Sequence, residues 1–215
     1  MTRFKICGTT SLGDAELAAD AGAWAIGVIL WSGSPRRCDP GEALRISRAL
    51  RRRVEVAGVF VNAPLDEVTG LADALGLGIV QLHGDEGPAF CAEVARRTGA
   101  KVMKAAAVRS GADVAALEAF HTDLHLLDAH RPGLRGGTGE TFDWELLRRR
   151  RTTVPLVLSG GLTPENVGDA IAATHPFAVD TASGTEAAPG VKDPGKVRAF
   201  AEAVAAAGDR AGVGR

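Results

Sequence analysis

Two side chains stand where an apolar run breaks off into a polar turn. Cys7 ends the run Phe4-Lys5-Ile6 and is followed by Gly8. Asp128 ends a run closing in Leu126-Leu127. A carboxylate at the end of an apolar strand is costly without a partner or a task. Position therefore marks Asp128 as a catalytic group more strongly than Cys7. A lone buried cysteine is usually an inert small hydrophobe. It becomes a general base where its surroundings lower its pKa, and position alone leaves both roles open for Cys7.

Two glycine-containing segments suit an anion. LSGGLTPENV, residues 158–167, reads as a strand end, the pair Gly160-Gly161 and a helix start. DTASGTE, residues 180–186, places Ser183-Gly184 after the next strand, which itself ends in Asp180. Glycines let backbone N–H groups approach a phosphate, and a helix N-terminus adds a favourable dipole. Either segment alone is explained by turn geometry; two on consecutive strands favour a phosphate site. Arg36, in WSGSPRR at 31–37, is either a solvated arginine or a bidentate clamp for a carboxylate. His83 is open between proton transfer and structural hydrogen bonding. The long segment HRPGLRGGTGET, residues 130–141, follows Asp128 and is placed to cover a ligand there.

Composition narrows the classes. The chain has 215 residues, 46% apolar and 24% charged, with a formal net charge of −1. That balance is ordinary for a globular protein, and it advertises neither nucleic acid nor an anionic membrane as partner. The arginine runs at 51–53 and 148–151 fall at expected helix C-termini, where they complement the helix dipole. Three widely separated cysteines, an odd count with no C-x-x-C pairing, argue against a disulfide framework or a thiolate zinc site. His121, His125, His130 and His175 show no metal-ligand spacing. No run approaches the roughly 18 apolar residues of a membrane span, and no signal-peptide core is visible, so a cytoplasmic location is expected.

The elements that carry these groups alternate. Strand-like runs are expected at 3–7, 25–30, 54–61, 79–83, 101–108, 124–128, 156–159 and 177–180, each followed by a helical segment. The helix starts are marked by Asp39-Pro40, Thr163-Pro164 and Asp193-Pro194. The last helix is expected to end near Ala207. Most strands are continuous apolar runs, which suit parallel strands buried on both faces. Eight such units without a composition break predict a single (β/α)8 barrel over residues 1–207, a parallel eight-stranded TIM barrel, with a flexible tail at 208–215. In such a barrel function gathers where strands end, and Cys7, Arg36, His83, Asp128, Asp180 and the two glycine segments lie at or just beyond such ends.

The ordered set KICG at 5–8, SPR at 34–36, AGVFVN at 57–62, VQLHGDE at 80–86, LLD at 126–128, GGTGETFDW at 136–144, SGGLTPENV at 159–167 and VDTASGTEAAPGVKD at 179–193 resembles the phosphoribosylanthranilate isomerase family of tryptophan biosynthesis. The resemblance spans essentially the whole chain. It implies an Amadori rearrangement of N-(5-phosphoribosyl)anthranilate to 1-(2-carboxyphenylamino)-1-deoxyribulose 5-phosphate, without metal or cofactor. By that resemblance Asp128 is the general acid and Cys7 the general base. Arg36 is then the ligand of the anthranilate carboxylate, and Gly160, Gly161, Ser183 and Gly184 the phosphate cradle. His83, Gly139 and Asp180 match positions near the substrate. The partner is this one small molecule, and the chain is expected to be a monomer or a weak homodimer.

The sequence departs from the family at Trp31-Ser32-Gly33, at Ala107 where an arginine is common nearby, and at Ala182 in place of a second serine. Substrate range and phosphate affinity are the properties these changes touch. A bifunctional relative would carry a carboxylate where Cys7 stands. The competing readings are a related isomerase with another phosphoribosyl substrate, and a barrel that binds sugar phosphates without catalysis.

Overall fold

The computed structural model describes residues 1–128, 147 and 150–212. Eight parallel strands close into a barrel in chain order. They are β1 Arg3–Cys7, β2 Ala25–Ile29, β3 Glu55–Phe60, β4 Ile79–Leu82, β5 Lys101–Ala107, β6 Leu124–Asp128, β7 Leu156–Ser159 and β8 Ala178–Thr181. β8 returns to pair with β1, with Lys5 opposite Asp180. The helices between strands are α1 Leu12–Asp20, α2 Pro40–Leu50, α3 Leu65–Leu75, α4 Pro88–Thr98, α5 Gly111–Ala116 and α6 Val167–Thr174. A short hairpin, β9 Glu186–Ala188 and β10 Val191–Lys192, precedes the final helix α7 Pro194–Gly212. The (β/α)8 barrel expected from the apolar rhythm is the fold observed.

Alternation along each strand sorts side chains between two cores. Facing the helices are Phe4, Ile6, Val56, Val80, Val102, Leu127, Leu158 and Val179. Facing the barrel axis are Ala25, Ala57, Ile79, Met103, Ala105, Leu124, Leu126, Val157 and Ala178. Trp24 and Phe177 pack against this inner layer, edge to face with ring centroids 5.2 Å apart. The Arg3 guanidinium lies 4.6 Å from the centre of the Phe177 ring. The lower barrel interior is thus filled by an apolar plug, with Lys5, Cys7, Gln81 and Asp180 above it toward the C-terminal ends of the strands.

Local chemistry sets the boundaries. Ser11 caps α1 through the Asp14 amide, and Asp39 caps α2 ahead of Pro40. Gly76 ends α3 in the left-handed conformation, as a C′ glycine does. Two boundaries differ from expectation. Thr163-Pro164 does not open a helix directly: Asn166 Oδ1 accepts from the Thr163 amide and Asn166 Nδ2 donates to the Gly161 carbonyl, so 163–166 forms a turn and α6 begins at Val167. The last helix continues past Ala207 to Gly212, because a single glycine weakens a helix without breaking it. Gly208 there accommodates Met1, whose side chain would sit 3.1 Å from an added Cβ. The expected helix near Phe142–Arg150 and the segment 130–141 lie outside the described residues, apart from Leu147 and Arg150.

One buried ion pair shapes the rim without entering the barrel. Lys104 of β5 donates to Glu86 Oε2 at 2.8 Å and to the Gly84 carbonyl at 2.6 Å. Glu86 also accepts the amides of Asn62 and Gly84. This carboxylate therefore ties the ends of β3 and β4 together. Burial works to raise the Glu86 pKa, but Lys104 and the amides outweigh it and hold the group below its ordinary value. Stability from this group is fully present above about pH 4.5, the ordinary value, and is lost as pH falls through the lower folded-state pKa. Replacing Lys104 by Met is expected to destabilise the protein by about 3 kcal/mol, since Glu86 stays buried without its cation. Glu86→Gln is expected to flatten the acid limb of stability below pH 4.5. Urea unfolding between pH 3 and 7 checks both, and an unchanged acid limb would refute the second.

Candidate active site

The inner faces of the strands turn polar in their last residues. On β1 the two-residue repeat puts Lys5 and Cys7 on the same, inward face. Lys5 is fully buried, and its ammonium bonds Asp180 Oδ1 at 2.8 Å. Ser159, at the end of β7, donates to the other Asp180 oxygen at 3.3 Å. Burial on its own would lower the Lys5 pKa. Asp180 and Cys7 beside it outweigh that, so the ammonium is held above its usual value.

Cys7 sits against this pair. Burial pushes its thiol up; Lys5 opposes that shift, and Asp180 adds to it. In the free site Cys7 is therefore a thiol at neutral pH, rather than the pre-ionised thiolate a base of lowered pKa would be. Room for both side chains comes from Gly27, Cys7's register partner on β2. A Cβ there would lie 2.7 Å from Cys7 Sγ and 3.0 Å from Lys5 Nζ.

The second group lies on β4 and β6. The His83 ring nitrogen Nδ1 is 3.2 Å from Gln81 Nε2, and Nε2 is 3.9 Å from Asp128 Oδ2. With Gln81 donating, Nδ1 accepts, and the neutral ring carries its proton on Nε2, toward Asp128. Burial lowers the His83 pKa, against the pull of Asp128 and Asp180, so the ring is neutral at pH 7. Asp128 itself is partly exposed at the barrel mouth, paired in register with Ser159 of β7 and Ala107 of β5.

The rim completes the site. Arg36 makes a two-pronged contact with Glu186: Nε lies 2.8 and 3.0 Å from its oxygens, and Nη2 lies 2.8 Å from Oε2. Gly8, at φ 71°, leaves space for the arginine stem, since a Cβ there would meet Arg36 Cδ at 2.8 Å. Lys192 lies under Glu186, with its ammonium on the Cys7 carbonyl at 2.6 Å. Gly160 and Gly161 take positive φ after β7. Gly184 passes so close to the Leu162 carbonyl that no side chain fits. Among the described residues, no protein acceptor takes the amides of Gly161, Ser183 or Gly184, which leaves them for an anion. Trp31 stands on the rim, 44% exposed, folded over Gly33.

Cys7, Asp180, His83, Asp128, Arg36 and the two glycine loops therefore share one end of the barrel, as their strand-end positions predict. Gly139 lies outside the described residues. Reading strand ends overlooked Lys5, Gln81, Glu186 and Lys192. Lys5 was detectable: a charged residue two before Cys7 in an apolar strand must share its face. Glu186 and Lys192 arrive from the β9–β10 hairpin, which had no strand signal of its own.

Comparison with known proteins follows the same line. The sequence model described as N-(5'-phosphoribosyl)anthranilate (PRA) isomerase matches residues 4–203. The N-(5'-phosphoribosyl)anthranilate isomerase of Citrifermentans bemidjiense is 50% identical over 198 residues, covering 92% of this chain and 94% of that protein. The crystal structure of phosphoribosyl anthranilate isomerase from Thermotoga maritima is 41% identical, with a TM-score of 0.84, covering 96% of this chain and 100% of that one. A phosphoribosyl anthranilate isomerase in complex with reduced 1-(o-carboxyphenylamino)-1-deoxyribulose 5-phosphate aligns with a TM-score of 0.81 at 39% identity, over 96% of this chain and 100% of that one.

The charges around Cys7 predict opposite responses in two variants. Lys5→Met removes the cation that favours the thiolate and is expected to raise the Cys7 pKa further. Asp180→Asn removes an opposing charge and is expected to lower it. Thiolate absorbance against pH, in a Cys38→Ser/Cys91→Ser background, reads both. Shifts of the same sign in the two variants would contradict the arrangement.

Proposed function

The chain belongs to the N-(5'-phosphoribosyl)anthranilate isomerase family, and from that premise we propose how its side chains divide the reaction. The enzyme carries out the isomerase step of tryptophan biosynthesis. It converts the aminoaldose N-(5-phosphoribosyl)anthranilate to the aminoketose 1-(2-carboxyphenylamino)-1-deoxyribulose 5-phosphate. The observation that carries the reading is a match over nearly the whole chain, with a thiol and a carboxylate at the mouth of one barrel.

The substrate is anionic at both ends, so it needs two anion sites with the sugar between them. The amides of Gly160, Gly161, Ser183 and Gly184 take the phosphate, helped by their closely turned loops. Arg36 takes the anthranilate carboxylate. Held at both ends, the sugar carbon lies between acid and base without a search. Asp128 protonates the furanose ring oxygen, and the ring opens to a Schiff base. Cys7, as the thiolate formed by loss of its own proton to solvent, then removes the C2′ proton, giving an enolamine that tautomerises to product. His83 holds its Nε2 proton toward Asp128 and orients it. Asp180 keeps Lys5 beside Cys7, and the Lys5 charge supports the thiolate as it forms. Gly139 is assigned to substrate binding by the family resemblance alone.

This division of labour needs one proton donor and one acceptor; Asp128 ends β6 and Cys7 ends β1, strands that are not neighbours in the barrel. The enzyme works in the cytoplasm as a monomer or a weak homodimer. In support, the Thermotoga maritima relative is described as dimeric, with monomers generated from it. Among the described residues, no helix is long and apolar enough to cross a membrane.

Substrate made in situ from anthranilate and phosphoribosyl pyrophosphate allows the decay of its fluorescence to be followed. Asp128→Asn and Cys7→Ala are each expected to lower turnover by at least ~10²-fold, the usual scale for a lost acid or base. Near-normal turnover in either variant would remove that residue from its assigned role. No decay with the wild type, while phosphate still binds, would point to a barrel that binds without catalysis.

A further inference from the structure

Lys192 is the best-connected cation in the described site, and the proton transfers above make no use of it. Its side chain is fully buried. Its ammonium lies 2.6 Å from the Cys7 carbonyl, 3.2 Å from the Ala182 carbonyl and 3.2 Å from Glu186 Oε1. An ammonium has three protons, and here three acceptors take them. Each acceptor belongs to a different part of the site. Cys7 is the base. Ala182 immediately precedes Ser183-Gly184 of the phosphate loop. Glu186 carries Arg36.

The Glu186 contact has a directional consequence. A guanidinium has two edges that can meet a carboxylate with parallel bonds. Glu186 takes the edge formed by Nε and Nη2. The edge formed by Nη1 and Nη2 meets no acceptor among the described residues, and it is wide enough for a second planar carboxylate. Glu186 is itself held from the far side by Lys192 and by the Gly190 amide at 3.3 Å. The hairpin that brings both residues is anchored to the base of α1: Thr10 Oγ1 donates to the Gly190 carbonyl at 2.6 Å, and the Lys192 amide donates to Asp14 Oδ2 at 3.1 Å.

We infer that Lys192 is a positioning residue for the isomerisation, its ammonium fixing the spacing of the base, the phosphate loop and the carboxylate clamp, with Glu186 as the arm that aims Arg36. The inference rests on the isomerase reading of the site. A buried ammonium is a costly way merely to fill space, and an apolar side chain would do that with less penalty. What an apolar side chain cannot do is bind two carbonyls and a carboxylate at once. The Lys192 charge also offsets Glu186, so that Arg36 keeps its net attraction for a substrate anion.

Kinetics of Lys192→Met, Lys192→Arg and Glu186→Gln test this, with inorganic phosphate as a competitive probe of the phosphate end alone. Circular dichroism and urea unfolding confirm folding of each variant. Lys192→Met is expected to lower kcat by about 10²-fold, as a misplaced base and loop would, and to weaken phosphate inhibition. Lys192→Arg is expected to restore part of the kcat. Glu186→Gln is expected to raise KM about 10-fold, the scale of one weakened charged contact, with phosphate inhibition unchanged within about 2-fold.

A folded Lys192→Met enzyme with wild-type kcat and KM would overturn the inference. So would a Glu186→Gln enzyme with lowered KM, since Glu186 would then be a competitor for the substrate's place. If Lys192→Met fails to fold, Glu186→Gln decides: KM and phosphate inhibition moving by the same factor, or neither moving, would overturn it. Absence of turnover in the wild type is a different result. It overturns the isomerase reading, and the positioning role falls with it.

Discussion

The Lys5–Asp180 pair is the interaction on which the site depends. It joins β1 to β8, the two strands whose pairing closes the barrel. It lies inside, on the boundary between the apolar plug of Ala25, Ile79, Leu126 and Val157 and the polar mouth above. A buried ion pair of this kind adds little net stability over an apolar substitute, yet losing one partner is strongly destabilising. Losing either charge alone therefore weakens the closure seam. The same constraint puts a permanent cation beside Cys7, and it commits Gly27 on the next strand to remain without a side chain.

A second layer of charge surrounds that seam. Lys192 and Glu186 come from a hairpin after β8, and Arg36 from the turn after β2. Asp180 pairs with Lys5, and Glu186 lies between Lys192 and Arg36. Each of these charges has an opposite neighbour, and among the described residues of this group only Arg36 presents an unpaired edge. The arrangement concentrates anion affinity at the rim rather than spreading it through the barrel. The Lys104–Glu86 pair repeats the device on the helix side, fixing the turns after β3 and β4 that carry His83 to its place.

Much of this was legible in the residues. Continuous apolar runs at a regular interval gave the barrel, because parallel strands buried on both faces need such runs. The rule that function collects at strand ends then gave Cys7, His83, Asp128, Asp180 and the two glycine loops. What remained hidden is instructive. Asp180 was visible as a strand-end acid, but its partner Lys5 is 175 positions away in sequence and meets it only through barrel closure. Glu186 looked like the tail of a phosphate loop, because nothing in its surroundings announced an arginine from residue 36. The start of α6 was misread because Asn166 folds its side chain back on Gly161 and Thr163, a local competition that capping patterns do not reveal.

The state of Cys7 bears on the order of the chemical steps. In the free site burial keeps the thiol protonated, with Lys5 as the nearest counterweight. Binding a substrate that carries a phosphate and a carboxylate would not by itself favour ionisation, since both charges are negative. On the proposed mechanism, the change comes when Asp128 opens the sugar ring. The protonated Schiff base is a cation formed next to the C2′ carbon whose proton Cys7 removes. That new charge favours the thiolate and acidifies the C2′ proton together. A thiol held back by burial until a cation forms would not be a free nucleophile between turnovers, and would become a base when there is a proton to take. Acid first and base second is thus the order the electrostatics of this site favour. It also gives Lys5 a specific part: it narrows the gap that the Schiff-base cation must close.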